Sequence, residues 1–316
     1  AMDKELMMLV LSQAAESVGE QFEDQPLVEV EIRSVIGSTY ISLGKYEEVE
    51  EHYAEALETR RRILGNEHPS TLASIGSMGV LLYYQGKYDE AQVYYAEALE
   101  TQRRVLGNEH PDTLRTINSM FVLSYYQGKY DEAQVYSAEA LETRRRVLGN
   151  EHPDTLNTIN SMAGLLKVQG KYDEALVYSA EALETRRRVL GNEHPSTQTS
   201  INNMGVLLGD QGKYDEAQVY SAEALETRRR ILGNEHPDTL ASIHNMGGLL
   251  MKQGKYDEAQ VYYLEALEGY RNVLGDEHPH TLKCINSLIE LYDAWDKPEE
   301  AKKYRDMLPE EDAATE

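Results

Sequence analysis

Six histidines stand at a constant step of 42 residues, His68, His110, His152, His194, His236 and His278, each directly before a proline. Histidine is the commonest metal ligand, so such a row invites a metal reading. Two ligands on one zinc sit about 2 Å from it and roughly 3–4 Å from each other. Neighbouring helices pack about 8–10 Å apart, so histidines one repeat apart cannot share an ion, and they read instead as cap groups before the proline. Arginine triplets such as Arg186-Arg187-Arg188 resemble a nucleic-acid motif, but Glu181 and Glu184 stand beside them near an expected helix end. That context assigns them to dipole and ion-pair roles. The single cysteine, Cys284, allows no disulfide framework. There is no glycine-rich phosphate loop, no kinase catalytic loop or Asp-Phe-Gly, and no Ser-His-Asp grouping with independent support. The carboxylates fall on expected solvent faces. The sequence therefore carries no catalytic residue, metal site or cofactor site, and the chain reads as non-enzymatic.

Bulk composition narrows the partners. The formal net charge of -24 argues against a general nucleic-acid or anionic-membrane binder. No apolar run approaches the roughly 18 residues that span a bilayer, and one cysteine fits a reducing compartment, the cytoplasm. Ala1-Met2 reads as a cloning scar.

The elements that would carry any site follow from the period. Leu-Gly-Asn-Glu-His-Pro recurs with prolines from Pro69 to Pro237, and its last copy is Leu-Gly-Asp-Glu-His-Pro at Pro279. Gly-Lys-Tyr keeps the same step, with lysines from Lys45 to Lys255. From Pro111 to Asn150, Pro111 and Asp112 suit a first helical turn. Leu114, Ile117, Met120 and Phe121 follow at helical spacing, continuing to Ser124-Tyr125, and Gly128 stops the helix. A second helix starts at Tyr130-Asp131-Glu132, with Ala133, Tyr136, Ser137, Ala140, Leu141 and Val147-Leu148 as its expected buried stripe. Glu142 stands four residues before Arg146, the favourable order for an ion pair within the helix, and Gly149 closes it. Each unit is a helix hairpin that buries its apolar face against its neighbours.

The pattern Met-Gly-x-x-Leu, then Gly-x-Tyr-Asp-Glu-Ala-x-x-x-Tyr-x-x-Ala-Leu, runs from Met78 to Leu99. It resembles the tetratricopeptide repeat. The 42-residue unit with its Leu-Gly-x-x-His-Pro linker is similar to the kinesin-light-chain type, and similar arrays form C-terminal arms of bacterial multidomain Ser/Thr kinases. The resemblance implies an all-α, right-handed superhelical solenoid of about seven hairpins with an N-terminal capping helix. On this reading residues 1–26 hold the scar and the capping helix, and 27–308 hold the array. Its repeats fall at about 27–68, 69–110, 111–152, 153–194, 195–236, 237–278 and 279–308, the last an end cap in which Trp295-Asp296-Lys297-Pro298 replaces Gly-Lys-Tyr. Residues 309–316 form an acidic, disordered tail.

Comparing the copies with one another isolates what varies. The second helix recurs almost verbatim, and the first keeps Met78, Met120, Met162, Met204 and Met246. One first-helix site instead reads Ala73, Arg115, Asn157, Thr199, Ala241, Lys283; another reads Tyr83, Tyr125, Lys167, Gly209, Met251. The resemblance places this face on the concave surface. A third site reads Asn118, Asn160, Asn202 and Asn286, with His244 in the same register and Gly76 and Ser34 earlier. Asparagine both donates and accepts, so a ladder of them can pair with an extended peptide backbone, and kinesin-light-chain repeats carry cargo-contacting asparagines in this register. The alternative is bonding to neighbouring helices or water. Arg115, Lys167, Lys252 and Lys283 form either a basic patch for an acidic or phosphorylated peptide or an ordinary solvated face. Tyr83 and Tyr125, with Tyr84 and Tyr126, form either an aromatic shelf for an apolar anchor or filling between repeats.

These observations point to a scaffold, monomeric or weakly homo-oligomeric, that binds an extended segment of a protein partner through those groove candidates. Two rival readings are a regulatory or docking arm of a larger signalling enzyme and a self-assembling structural module.

Overall fold

The computed structural model describes residues 4–308. The expected scar at Ala1-Met2 and the expected tail 309–316 lie outside the described residues. The chain divides into two compact units, Ala1–Asn150 and Glu151–Glu316, and all regular structure among the described residues is helical.

Unit one contains α1 (Lys4–Gln21), α2 (Pro26–Ser42), α3 (Glu50–Leu64, entered through a 3-10 turn at Glu47–Val49), α4 (Pro69–Tyr84), α5 (Tyr88–Val105), α6 (Pro111–Tyr126) and α7 (Tyr130–Leu148). Unit two contains α8 (Pro153–Val168), α9 (Tyr172–Leu190), α10 (Pro195–Asp210), α11 (Tyr214–Leu232), α12 (Pro237–Lys252), α13 (Tyr256–Leu274), α14 (Pro279–Ala294) and α15 (Pro298–Arg305). The helices pair as hairpins, α2 with α3, α4 with α5 and so on, and α1 packs on α2. Within each unit the second helix of one hairpin also packs on the first helix of the next.

The punctuation of the sequence explains the hairpins. His110 is extended (φ -65°, ψ 137°), and its Nδ1 accepts the Asp112 backbone N–H at 3.2 Å. Pro111 follows at the first turn, where a missing N–H costs nothing. The other five linker histidines cap their helices in the same way. Gly128 then takes φ 72°, a left-handed conformation that a side chain resists. The Lys129 N–H turns back to the Ser124 carbonyl at 2.9 Å and closes α6. The acids Asp131 and Glu132 open α7, and arginines end it.

Ile117, Met120 and Leu123 are buried on α6. Each such side chain contributes about 1.5–3 kcal/mol on leaving water. The recurrent methionines are all buried, from Met78 to Met246. Val147 and Leu148, expected inside, are 44% and 39% exposed in the last turn of α7, beside the helix-ending Gly149. The expected pair between Glu142 and Arg146 does not form; Arg146 reaches the linker residue Glu109 instead.

Hairpin packing obeys a volume rule. Where the first helix carries Gly37, Gly79 or Gly247, the second carries Tyr53, Tyr95 or Tyr263, whose ring lies where a β-carbon would be. A Cβ at Gly79 would meet the Tyr95 ring at 2.5 Å. Where the first helix carries Phe121, the second carries Ser137 at the tyrosine position, and both are buried. Large meets small, as close packing requires.

Candidate functional site

The arginine triplets occupy three directions. The first arginine turns inward: Arg186 of α9 donates to Asn157 Oδ1 of α8 at 2.7 Å and to Ser200 Oγ of α10 at 2.7 Å. Arg60 ties Glu31, Ser34 and Ser74 together in the same way, and Arg228 ties Ser242 to the Asp238 carbonyl. Burial lowers the pKa of Arg186 and Arg228. The second arginine pairs forward along the second helices, Arg61 with Glu97, Arg103 with Glu139, Arg187 with Glu223 and Arg229 with Glu265, at 2.6–2.7 Å. The third pairs back to a linker glutamate: Arg104 with Glu67, Arg188 with Glu151, Arg230 with Glu193. Each half-exposed pair contributes about 0–1 kcal/mol, and together they engage these second-helix arginines.

The first-helix faces are different. Asn118, half-buried on α6, Asn160, half-buried on α8, and Asn286, exposed on α14, make no side-chain hydrogen bond among the described residues. Asn202 accepts from Asn245 Nδ2 of the next first helix at 3.1 Å. His244 is 3.0 Å from Ser287 Oγ and packs on the Tyr263 ring. Burial, with help from Lys283 and His280, pushes its pKa down to about 4. The asparagine register thus meets a second polar row, Ser77, Ser119, Ser161, Asn203, Asn245 and Ser287. That row lies one position further along each helix, and its inter-helix contacts lie beyond the reach of a within-helix reading. Asn157 is exposed, with its carbonyl oxygen spent on Arg186.

The lysines are partly committed. Lys167 Nζ lies 2.7 Å from Asp210 Oδ2, and Lys252 Nζ contacts Asp210 Oδ1. Burial works to raise the Asp210 pKa, but the two lysine hydrogen bonds and charges outweigh it and hold the carboxyl below its ordinary value. The patch of three groups carries one net positive charge. Arg115 pairs with Asp112 at 2.5 Å, and Lys283 is exposed with no ion pair among the described residues.

Unit one carries rings at this end of the first helix. Tyr46 stacks on Tyr84 at 5.4 Å, and Tyr83 meets Tyr84, Tyr88 and Tyr126 at 5.3–5.8 Å. Tyr125 continues the row to Tyr126 and Tyr130. Tyr83 and Tyr125 are half-buried; Tyr84 and Tyr126 are 50% and 58% exposed. Each pair is split between filling and surface.

Three recesses open on first helices. One in unit one, about 280 Å³, lies between α4 and α6 where Gly76 stands in the asparagine register, with Arg115 at its rim. Two lie in unit two. The first, about 160 Å³, is lined by Asn160, Ala163, Gly164, Lys167, Ser179 and Asn203. The second, about 110 Å³, includes Gly205, Gly209, Ser221, His244, Asn245 and Gly248.

Family models described as tetratricopeptide repeat match residues 30–100, 75–120, 156–230, 196–250 and 238–304, and a second model of the same description matches 113–154. The chain is a tetratricopeptide repeat protein. No curated protein matches it in sequence. Among solved structures, this tetratricopeptide chain is similar to a putative kinesin light chain with nearly identical repeats from Podospora anserina. The identity is 23% over 66% of this chain and 99% of that one, with a TM-score of 0.58. BtubC (BKLC) from P. vanneervenii is 21% identical over 72% of this chain and 97% of that one, with a TM-score of 0.58. A tetratricopeptide repeat protein from Parabacteroides merdae is 17% identical and covers 95% of each chain at a TM-score of 0.60. These likenesses concern the fold.

In this tetratricopeptide protein the described residues hold no cluster of metal-ligating side chains. No helix is long and apolar enough to cross a membrane. Burial raises the Cys284 thiol to about 12, which leaves it protonated and unreactive at neutral pH.

Proposed function

We propose that the chain is a non-catalytic interaction scaffold that holds an extended segment of a partner protein along the first-helix face of unit two, across α8, α10 and α12. One observation carries this reading: the second-helix arginines are engaged in the repeat-to-repeat ladder, whereas Asn160 and Asn203 stand unspent beside an open recess. An amide that donates and accepts can pair with a backbone regardless of side chain. The helices are preformed, so the scaffold loses little freedom on binding. Acidic groups on the partner would compete with Asp210 for Lys167 and Lys252, which makes an acidic segment favourable but less strongly so than two unpaired lysines would.

The test is a selection of displayed disordered peptides on the chain, repeated with N160A/N203A. Neither side chain makes an internal hydrogen bond among the described residues, so the double variant should melt with the parent. It should also bind selected peptides at least about tenfold more weakly. Selected peptides that ignore the substitution, or no selected peptides, would remove the proposal.

A further inference from the structure

One buried side chain breaks the pattern of the inward-turning arginines. At that position of the second helix the chain reads Arg60, Gln102, Arg144, Arg186, Arg228 and Tyr270. Arg60, Arg186 and Arg228 spend their guanidinium groups on the helices around them. Gln102 is shorter and makes no side-chain hydrogen bond among the described residues, although it is only 4% exposed. Its Oε1 is buried without a donor. A buried amide left unpaired costs stability, and this one lines the largest of the three recesses, about 280 Å³.

That recess lies wholly within unit one, on the first-helix face between α4 and α6. Tyr53 and Tyr95 line it too, 6% and 5% exposed. The Tyr95 hydroxyl faces Ser119, and Tyr53 stands in the same register to Ser77. Ser77, Thr116 and Ser119 already donate to carbonyls of their own helices. The Tyr53 hydroxyl has no hydrogen-bond partner among the described residues, and burial alone raises its pKa. Leu72 and Val80 add apolar wall. Gly76 leaves the mouth open, with nothing within 4 Å of a β-carbon built there.

These groups discriminate among ligand heads. A carboxylate accepts from Tyr53 and Gln102 but offers no proton to Oε1. The one charged group in the lining, Arg115, is already paired with Asp112 at 2.5 Å, so an anion would lose its hydration without a free counter-charge. An ammonium or guanidinium would meet Oε1, yet it would lie beside Arg115 and leave the phenol unmet. A primary carboxamide both donates and accepts along one planar edge, as Gln102 itself does. The broad terminal torsion of glutamine lets Gln102 turn either edge toward it.

We infer that the recess between α4 and α6 binds a primary carboxamide on a short apolar stem, the side chain of a partner's glutamine, paired edge to edge with Gln102 and capped by the Tyr53 hydroxyl. This stands on unit one alone and does not need the segment held by unit two.

The experiment removes the unit-two contact first. Disordered peptides are selected on the full chain carrying N160A/N203A, then tested on that background with Q102L and with G76L, which closes the mouth. Selected peptides should carry a glutamine. They should lose about tenfold or more on either variant, and as much when that glutamine becomes glutamate. Q102L removes a polar group that has no partner, so it should melt no lower than its parent. Butyramide titrated into the parent should shift the NMR signals of Gly76, Ser77 and Ser119 saturably, more strongly than butyrate or butylammonium, and Q102L should abolish the shift. Butyramide bound in this way without glutamine-bearing peptides would overturn the partner's glutamine in favour of a free amide. Butyrate or butylammonium matching butyramide, or a shift that Q102L leaves unchanged, would overturn the carboxamide itself. So would the absence of both peptides and shifts, and the reading of unit two would survive that result because its own test keeps Asn160 and Asn203. If Q102L does not fold, G76L and the ranking of the three probes on the parent decide.

Discussion

At the end of the first helix the two units carry opposite chemistry on the same backbone. Unit one presents Tyr83-Tyr84 and Tyr125-Tyr126; unit two presents Lys167-Val168, Gly209-Asp210 and Met251-Lys252 at the same two positions. In unit one the rings join into a continuous row from Tyr46 to Tyr130. In unit two a single carboxylate bridges two lysines. The hairpin itself is set by capping histidines, helix-ending glycines and a buried Met/Ile/Leu stripe, none of which lies at these positions. The array can therefore exchange an aromatic edge for a charged one without changing how it folds.

The sharpest way to break that comparison is to give unit one the packing of unit two. Phe121 fills the space opposite Ser137 and is 9% exposed. Phe121→Ala copies the Ala163–Ser179 pair and should cost about 3 kcal/mol in urea melts, from lost transfer energy plus a cavity. The double variant F121G/S137Y recreates the Gly–Tyr pair of the neighbouring hairpin and should recover most of that loss, with strong non-additivity. S137Y alone, with Phe121 still present, should overpack the hairpin and destabilise it; a variant that melts with the parent would show that the volume rule is wrong.

The next effect belongs to His244, which stands where Asn202 and Asn286 stand. Tyr263 of α13, Ser287, Lys283 and His280 of α14, and Asn245 on its own helix surround it. Its pKa is about 4, below the ordinary 6.5, chiefly through burial. Between these values the unfolded chain binds the proton and the folded chain does not, so stability rises with pH across that window. Relative to His244→Asn, the parent should lose roughly 2–3 kcal/mol on going from pH 7 to pH 4. Parallel urea melts at the two pH values would read the difference, and equal acid sensitivity in both proteins would contradict a buried neutral imidazole.

Much of this architecture is legible in the sequence because its causes are local. A proline after histidine, a glycine after an apolar stripe and acids before arginines each act within a turn or two. What escapes is whatever depends on a residue one repeat away. Glu142 and Arg146 satisfy the rule for a pair within a helix, yet Glu109 in the preceding linker captures the arginine. Arg186 looks like a surface charge and is instead the brace of three helices. The recesses are harder still, since each is lined by residues of at least three helices. The asparagine register is visible as a repeat, but whether a given member is spent, as Asn202 is, or unspent, as Asn160 is, depends on its neighbour.

Removing the bridge tests whether charge stabilises unit two as well as marking it. Asp210→Asn leaves Lys167 and Lys252 without their shared carboxylate and should cost about 1 kcal/mol at neutral pH, given how exposed the lysines are. The folded pKa of Asp210 lies below its ordinary value. Its contribution is therefore present above about pH 3.9 and is lost as pH falls through the folded value. The gap between parent and variant should close at low pH and shrink in 1 M salt, where the screening length is only about 3 Å. A gap indifferent to both would mean that the asparagine disturbs packing, and the contrast between the units would then not be electrostatic.

The smallest effect is expected in the aromatic row. Tyr84 and Tyr126 are half-exposed or more; each touches the half-buried Tyr83 and one further ring, Tyr46 or Tyr125, so removing either forfeits two exposed ring contacts but little buried area. Tyr84→Ala and Tyr126→Ala should each cost about 0.5–1 kcal/mol, the low end for ring pairs that stand half in water. Because both rings lean on Tyr83, the double variant should depart from the sum of the singles, whereas either combined with Asp210→Asn should be additive. A cost near 3 kcal/mol for either single would place the tyrosines among the core residues, as at Phe121, and the edge of unit one would have to be counted as packing. A small, coupled cost leaves two exposed phenols held in fixed positions by neighbours that tolerate their loss, which is what distinguishes a surface from a core.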